Sequence, residues 1–441
     1  MLQLNTQTQL NTRINPNTSY WLYLHPYVHV SLKKNRAILY NTLNSTLLEY
    51  NGNGSPKILK LIKRLNSDNN LYTIRLHRDD ISQDVYHFIN QLKANFIGDL
   101  IDASYSETKP LQFKPKLTLR KGIDLFMTTS KKDKIRMLKF DTFKDYLECI
   151  NLYINEECQH SCTRCKNAYK QFLYCRKNSQ KRELNADTIK EVLETTKGSR
   201  LLKLNILGGN IFKHSEFFQL TALLNQDKNR EKNYYAHYSN IPGNTEYLEA
   251  LKDEKSVLKI MVDFPLNREA FDKARQLVKQ SKINVVWQFI VENNTDIENV
   301  EALIAESELD KFSFSPYYNG QNIDFFKENV FVDKNSITSS ALTMKDIYFR
   351  MFLNRFSYGS IAIFSNKDIY ANVNKPKLGK WGEKDLFLII AREFKYGKSW
   401  ARVRKNVKPC KSCVFNALCP PITNYESAIG FNNLCNVQRP I

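Results

Sequence analysis

Three cysteines, Cys158, Cys162 and Cys165, stand at C-x3-C-x2-C in the stretch NLYINEECQHSCTRCK, residues 151–166. Three thiolates on one short loop can hold three irons of a [4Fe-4S] cube, which leaves the fourth iron open to a small molecule. A zinc knuckle or a group of packed thiols is the other reading of the same spacing. A second set lies near the C-terminus: Cys410, Cys413 and Cys419 at C-x2-C-x5-C in PCKSCVFNALCPP, with Cys435 sixteen residues further on. Four thiolates so spaced form a closed site, suited to a cube or to zinc. Of the two cysteines left over, Cys149 reads as a packed thiol, and Cys175 is open between the core and a place near the first set.

The first loop resembles that of radical S-adenosylmethionine (radical SAM) enzymes. The resemblance implies that S-adenosylmethionine chelates the open iron and is cleaved to a 5'-deoxyadenosyl radical, which abstracts a hydrogen atom. In that family a Gly-Gly-Glu-Pro motif after the second strand binds the amino group of the cofactor. Here the text is GGNIFKHSEF, so Gly208 and Gly209 match while Asn210 and Ile211 replace the glutamate and the proline. The family's aromatic residue before the third cysteine rests on adenine; this chain has Arg164, whose guanidinium plane can stack on a base. Ser239 and Asn240 at the end of the third strand are further cofactor-binding candidates, Gln288 and Asn293 lie at or near the end of the fifth, and Asp263 at the end of the fourth is the candidate for moving a proton.

The second cysteine set resembles the SPASM extension of peptide maturases, which holds auxiliary [4Fe-4S] clusters. Cys410, Cys413, Cys419 and Cys435 match the outer cluster's ligands, whereas Thr423, Ala371 and Asn372 stand where the inner cluster's cysteines would be. The resemblance therefore implies two cubes per chain, one in the loop and one auxiliary. The C-terminal passage is similar to maturases serving precursors with a double-glycine leader, some of whose relatives are pseudo-radical-SAM proteins.

The elements that must position these residues are legible as alternation. Strand patterns at 149–154, 201–207, 234–239, 258–264, 285–291 and 312–315 are separated by helical patterns at 186–196, 216–225, 268–280 and 297–307. Six such units predict an α/β fold, a (β/α)6 partial TIM barrel with its site at the carboxyl ends of the strands. Before it, strand patterns at 27–32, 37–41 and 45–50 precede helices at 55–65 and 82–97. That order resembles the winged-helix-like module by which peptide-modifying enzymes take a leader as an added strand. The expected organisation is a recognition module at 1–103, a connector at 104–145, a radical SAM barrel at 146–335 and a Cys-rich SPASM-like domain at 336–441, with a hairpin at 359–373.

A chain of 441 residues with 42% hydrophobic content supports several cores. It carries no run of 18 apolar residues and a polar N-terminus, so a cytoplasmic protein with no membrane partner is expected. The net charge of +20 comes from scattered lysines accompanied by much Asn and Ile, which argues against a specific nucleic-acid face. The resemblance implies a radical SAM enzyme acting on a ribosomally made precursor peptide, fed by an electron donor such as ferredoxin or flavodoxin. The alternative is a catalytically degenerate partner that binds precursor or a companion maturase.

Overall fold

The fold is that of a computed structural model, which describes residues 19–110, 114, 146–160, 162–396 and 399–437. These fall into two compact units. One draws on residues up to 121 with 334–351 and 411–419; the other comprises 122–333, 352–410 and 420–441. The expected connector lies largely outside the described residues, and the expected 336–441 domain is shared between the units.

The first unit begins with β1 (Ser19–Leu24), β2 (Val28–Lys33), β3 (Arg36–Asn41), β4 (Leu47–Asn51), α1 (Pro56–Leu65), β5 (Thr73–His77), α2 (Gln83–Ala94) and β6 (Gly98–Asp102). They form two antiparallel three-stranded sheets, in the orders β5-β1-β6 and β2-β3-β4. Pro56 fits the first turn of α1, whose Ile58, Leu61, Ile62 and Leu65 recur on one buried face. Strands β1, β5 and β6 lie outside the sequence expectation. In β1 the central Tyr20, Trp21 and Leu22 are all buried, so alternation is lost, and both its partners lie far along the chain. Helix α2 also ends earlier than its pattern implies: it stops at Ala94, and Phe96 turns out to solvent at φ 52°.

The later segments of this unit are bonded to the same strands. The Tyr40 hydroxyl donates to the Ser340 carbonyl at 2.8 Å and accepts from Leu342 N at 3.0 Å. Glu49 takes both Arg36 and Lys334, and these two cations lie over the Phe415 ring, each 5.9 Å from its centroid.

The second unit is built on one nine-stranded sheet. Its elements are β7 (Cys149–Tyr153), α3 (Ala186–Thr195), β8 (Lys203–Leu207), α4 (Phe217–Gln226), β9 (Glu231–His237), β10 (Ser256–Val262), α5 (Arg268–Ser281), β11 (Val285–Val291), α6 (Asn294–Ser307), β12 (Phe312–Pro316), β13 (Ser360–Ile363), β14 (Asp368–Tyr370) and β15 (Gly379–Lys380). The spatial order is β12-β11-β10-β9-β8-β7-β13-β14-β15. Strands β7 to β12 are parallel neighbours in sequence order, as alternating strand and helix patterns require. Asparagine N-caps start α3, α5 and α6: Asn185, Asn267 and Asn293 each accept from a backbone N–H in the first turn.

The hairpin expected at 359–373 is β13 with β14, turning through Lys367 at φ 67°. Its first strand also joins the nine-stranded sheet, parallel to β7. No local pattern announces that pairing, because the two strands are some 210 residues apart.

Alternate side chains of the sheet fill two cores. Ile150, Leu152, Leu204, Ile206, Ile260 and Phe289 pack with the helices. Tyr153, Leu207, Tyr235, Met261, Ile290 and Ala362 point to the other side and pack with Cys165, Tyr174 and Cys175. An amide ladder crosses the sheet: Asn233 donates to Asn205 at 3.0 Å, Asn205 to Asn151 at 2.7 Å, and Asn151 to the Ser360 hydroxyl at 3.2 Å. Among the described residues no helix is long and apolar enough to cross a membrane.

Candidate functional site

The cysteine loop leaves the carboxyl end of β7 and is held against the end of β8. Ile154 N donates to Leu207 O at 2.7 Å, Gly209 N to Asn155 O at 3.1 Å, and Asn210 N to Glu157 O at 2.6 Å. The Asn155 amide returns a bond to Asn210 O at 2.7 Å. This interlock accounts for the two glycines. A Cβ on Gly208 would lie 2.1 Å from Asn155 Oδ1, and one on Gly209 would lie 2.2 Å from Glu157 O. Their requirement is the close approach of loop backbone. Asn210 itself is buried; its side-chain oxygen accepts from Phe212 N at 3.1 Å and its amide nitrogen donates to Gln159 at 3.3 Å.

Cys158 and Cys165 are buried and Cys162 is half-buried, with Cys165 on a short 3-10 turn, Thr163–Lys166. Cys162 and Cys165 are hydrogen-bonded through their thiols, Cys165 is also bonded to Cys175, and Cys158 is an electrostatic neighbour of Cys165. The bond with Cys165, then burial, pushes the Cys162 thiol up. Cys165 is lowered by its bond with Cys162, but Cys175 and burial carry it up to about 12. Metal uptake here must release protons. Asn240 donates to Cys158 Sγ at 3.8 Å, and its own Oδ1 is buried with no hydrogen-bond partner among the described residues. Ser239 places its carbonyl 3.3 Å from the His160 ring and its N–H on His237 Nδ1.

Three thiols from one loop, together with an unpartnered buried amide oxygen beside them, fit a metal–sulfur group with a small molecule bound over it. Among the described residues no three His, Cys, Asp or Glu side chains are grouped as for a single metal ion.

Arg164 reaches from the loop across the strand ends. It donates to Asp263 Oδ2 at 3.0 Å, to Phe264 O at 2.9 Å and to Glu292 Oε1 at 2.5 Å. Each of its three guanidinium nitrogens is thus engaged, while the faces of the guanidinium are left for stacking. Asp263 also takes His237 Nε2 at 2.8 Å. Burial pushes the Asp263 carboxyl up, but the bonds and charges of His237 and Arg164 outweigh it and hold the group below its ordinary value. In this state Asp263 is a poor proton acceptor. Gln171 ties the same segment to the end of β12, donating to Tyr318 O and accepting from Tyr318 N, both at 2.8 Å.

Gln288 donates to the Ser315 hydroxyl at 2.8 Å, and Asn293 caps α6. His237, Glu292, Gln171 and Tyr174 are site residues that the sequence reading does not single out. For His237 a polar residue ending a strand two positions before Ser239 is the available signal; for Glu292, its place just after β11.

The second cysteine set is divided between the units. Cys413 and Cys419 lie in the first, where Cys419 N donates to Phe415 O at 3.0 Å. Cys410 and Cys435 lie in the second. There burial raises the Cys410 thiol against the opposing pull of Arg404, whose Nη1 is 3.9 Å from its sulfur. Arg404 also pairs with Glu426 at 2.9 Å, and Glu426 accepts from the Thr423 hydroxyl at 2.7 Å. Asn372 donates to Asn424 at 2.6 Å. These two bonds occupy the positions where the resemblance places inner-cluster cysteines. A cavity of about 320 Å³ adjoins them, lined by Cys149, Asn151, Asn205, Tyr169, Phe172 and Asn372 among others.

No protein-family model matches the sequence. No curated protein matches it either. Solved structures do match. SuiB from Streptococcus suis bound to precursor peptide SuiA aligns at 15% identity over 94% of this chain and 100% of that one, with a TM-score of 0.50. SuiB bound to S-adenosylmethionine aligns at 15% identity over 93% and 97%, with a TM-score of 0.49. A histidine-tagged anSMEcpe with bound AdoMet aligns at 13% identity over 62% and 84%, with a TM-score of 0.44. At such identities the likeness is one of architecture, and on that ground the chain shares the fold of SuiB.

Proposed function

We propose that this chain is a radical SAM enzyme that modifies a ribosomally made precursor peptide by hydrogen-atom abstraction. The observation that carries the reading is the set of three thiols on one loop, clamped at the carboxyl ends of parallel strands. The fold shared with SuiB, a protein solved with its precursor peptide, supports the substrate class. Cys158, Cys162 and Cys165 would hold a [4Fe-4S] cube, and Cys410, Cys413, Cys419 and Cys435 an auxiliary one. Bound at the loop, the cube and S-adenosylmethionine supply the radical.

The chain's own side chains do the rest. Asn240 would offer its buried amide oxygen to the cofactor, and Ser239 and the backbone of Gly208 and Gly209 are the further groups that would hold it. Asn210 positions the loop, and Arg164 covers the strand ends and excludes water, with Asp263 fixing its place. The N-terminal winged-helix-like module would take the leader of a cytoplasmic precursor, of the double-glycine type, and a ferredoxin or flavodoxin would deliver the electron.

A second reading, a non-catalytic partner in the same pathway, is favoured by one observation: Arg164 and Asn210 are already engaged with protein groups. Anaerobic reconstitution with iron and sulfide decides between them. Two cubes require about eight irons per chain, and the enzyme forms 5'-deoxyadenosine on reduction. Cys162→Ala should abolish that cleavage and leave the C-terminal metal in place. Full iron loading without any 5'-deoxyadenosine from the wild-type chain would leave only the partner reading.

A further inference from the structure

Tyr174 lies nine residues past the last loop cysteine, within the inner core formed by Tyr153, Leu207, Tyr235, Met261 and Ile290. Its ring is fully enclosed and packs edge-on against Phe172, with centroids 5.8 Å apart. The hydroxyl is buried and has no hydrogen-bond partner among the described residues. Its electrostatic neighbours are Cys175, Asp263, Cys162 and Cys165.

A phenylalanine would fill the same volume without burying a phenol O–H, which in an apolar core is unfavourable unless the group finds an acceptor. Asp263 is already engaged by His237 and Arg164. The remaining neighbours are sulfurs. Free thiols are weak acceptors, but metal-bound thiolates and sulfides are strong ones, and hydrogen bonds to them are among the determinants of an iron–sulfur group's potential.

We propose that the Tyr174 hydroxyl donates a hydrogen bond to a sulfur of the iron–sulfur group held by the cysteine loop and thereby raises its reduction potential. Reduction adds negative charge to the sulfurs, so a donor aimed at them favours the reduced form. The inference rests on the reading of the loop as a cluster site.

The test compares the reconstituted full chain with Tyr174→Phe in a redox titration followed by electron paramagnetic resonance, without S-adenosylmethionine. Cys162→Ala identifies which signal belongs to the loop. The expected result is unchanged iron content, a loop midpoint shifted to more negative potential, and an unmoved C-terminal signal. The metal-free Tyr174→Phe chain should melt at the same or a higher temperature than wild type, because there the hydroxyl has no partner to lose. An unshifted midpoint at full iron content overturns the proposal, as does a lower melting temperature of the metal-free variant. If no wild-type signal disappears in Cys162→Ala, the cluster reading falls and takes the proposal with it.

Discussion

Arg164 shows how far the chemistry of one residue departs from what its neighbours in sequence announce. As the residue before Cys165 it reads as a stacking platform; in the folded chain it is a clasp between Asp263, Glu292 and the Phe264 carbonyl. Arg164→Met removes the guanidinium from Glu292 and one of two partners of Asp263. Charged hydrogen bonds of this kind are worth about 1.5–3 kcal/mol, so chemical denaturation at neutral pH should show a loss of roughly that size. The pH dependence has a definite sign. A carboxyl held below its ordinary 3.8 contributes stability above that value and loses it as the pH falls through the lower folded value. The wild-type advantage over Arg164→Met should therefore be complete at neutral pH and shrink on acidification below pH 4; an advantage that grew with acid would contradict the ion-pair assignment. At this scale the thiols are legible, because three of them share eight residues of sequence. His237 and Glu292 are not, since their partners are 26 and 128 residues away and no local pattern records such distances.

Among elements, the joint between β7 and β8 governs where the thiols stand. Its tolerance is small: Gly209→Ala sets a methyl group 2.2 Å from Glu157 O, a backbone atom that has no rotamer by which to escape. Overpacking of this kind costs about 1–3 kcal/mol. The loop, tied by Asn210 N to the same carbonyl, must move with it. Gly209→Ala is expected to lower the melting temperature and to reduce iron bound at the loop while the C-terminal site keeps its metal, read by iron analysis against Cys162→Ala. Normal loading of the loop in a folded variant would show that the joint does not set the position of the cysteines. The six parallel strands β7 to β12 are readable because each is bounded on at least one side by a helical pattern. Strand β1 and the place of β13 in the nine-stranded sheet escape the sequence for a shared reason: a strand buried on both faces, or only four residues long, shows no alternation, and its partners are chosen by tertiary packing. The end of α2 is overrun because Phe96 continues an apolar periodicity that the backbone abandons one residue earlier.

At the scale of the whole chain, sequence order and compact units do not coincide. Residues 334–351 and 411–419 belong with the N-terminal strands, and Tyr40 is one of the joints. Tyr40→Phe keeps the ring and leaves Leu342 N without its acceptor, at a cost of about 1–3 kcal/mol. The expected outcome is a lower unfolding midpoint together with faster alkylation of Cys413 and Cys419, whose segment belongs to the same unit; unchanged thiol reactivity would separate that segment from the Tyr40 joint. No composition shift or linker marks this arrangement, because the contacts of Tyr40 and Glu49 join residues 285 to 302 apart in sequence and the boundary falls between patterns rather than within one. The arrangement also bears on how the protein comes off the ribosome. Strands β1 to β4 emerge first, yet the segment carrying Phe415, on which Arg36 rests, is translated several hundred residues later, a delay of several tens of seconds at roughly 5–20 residues per second. Until then an incomplete surface stays open, so a nascent chain halted before residue 411 should be a chaperone client and a released one should not.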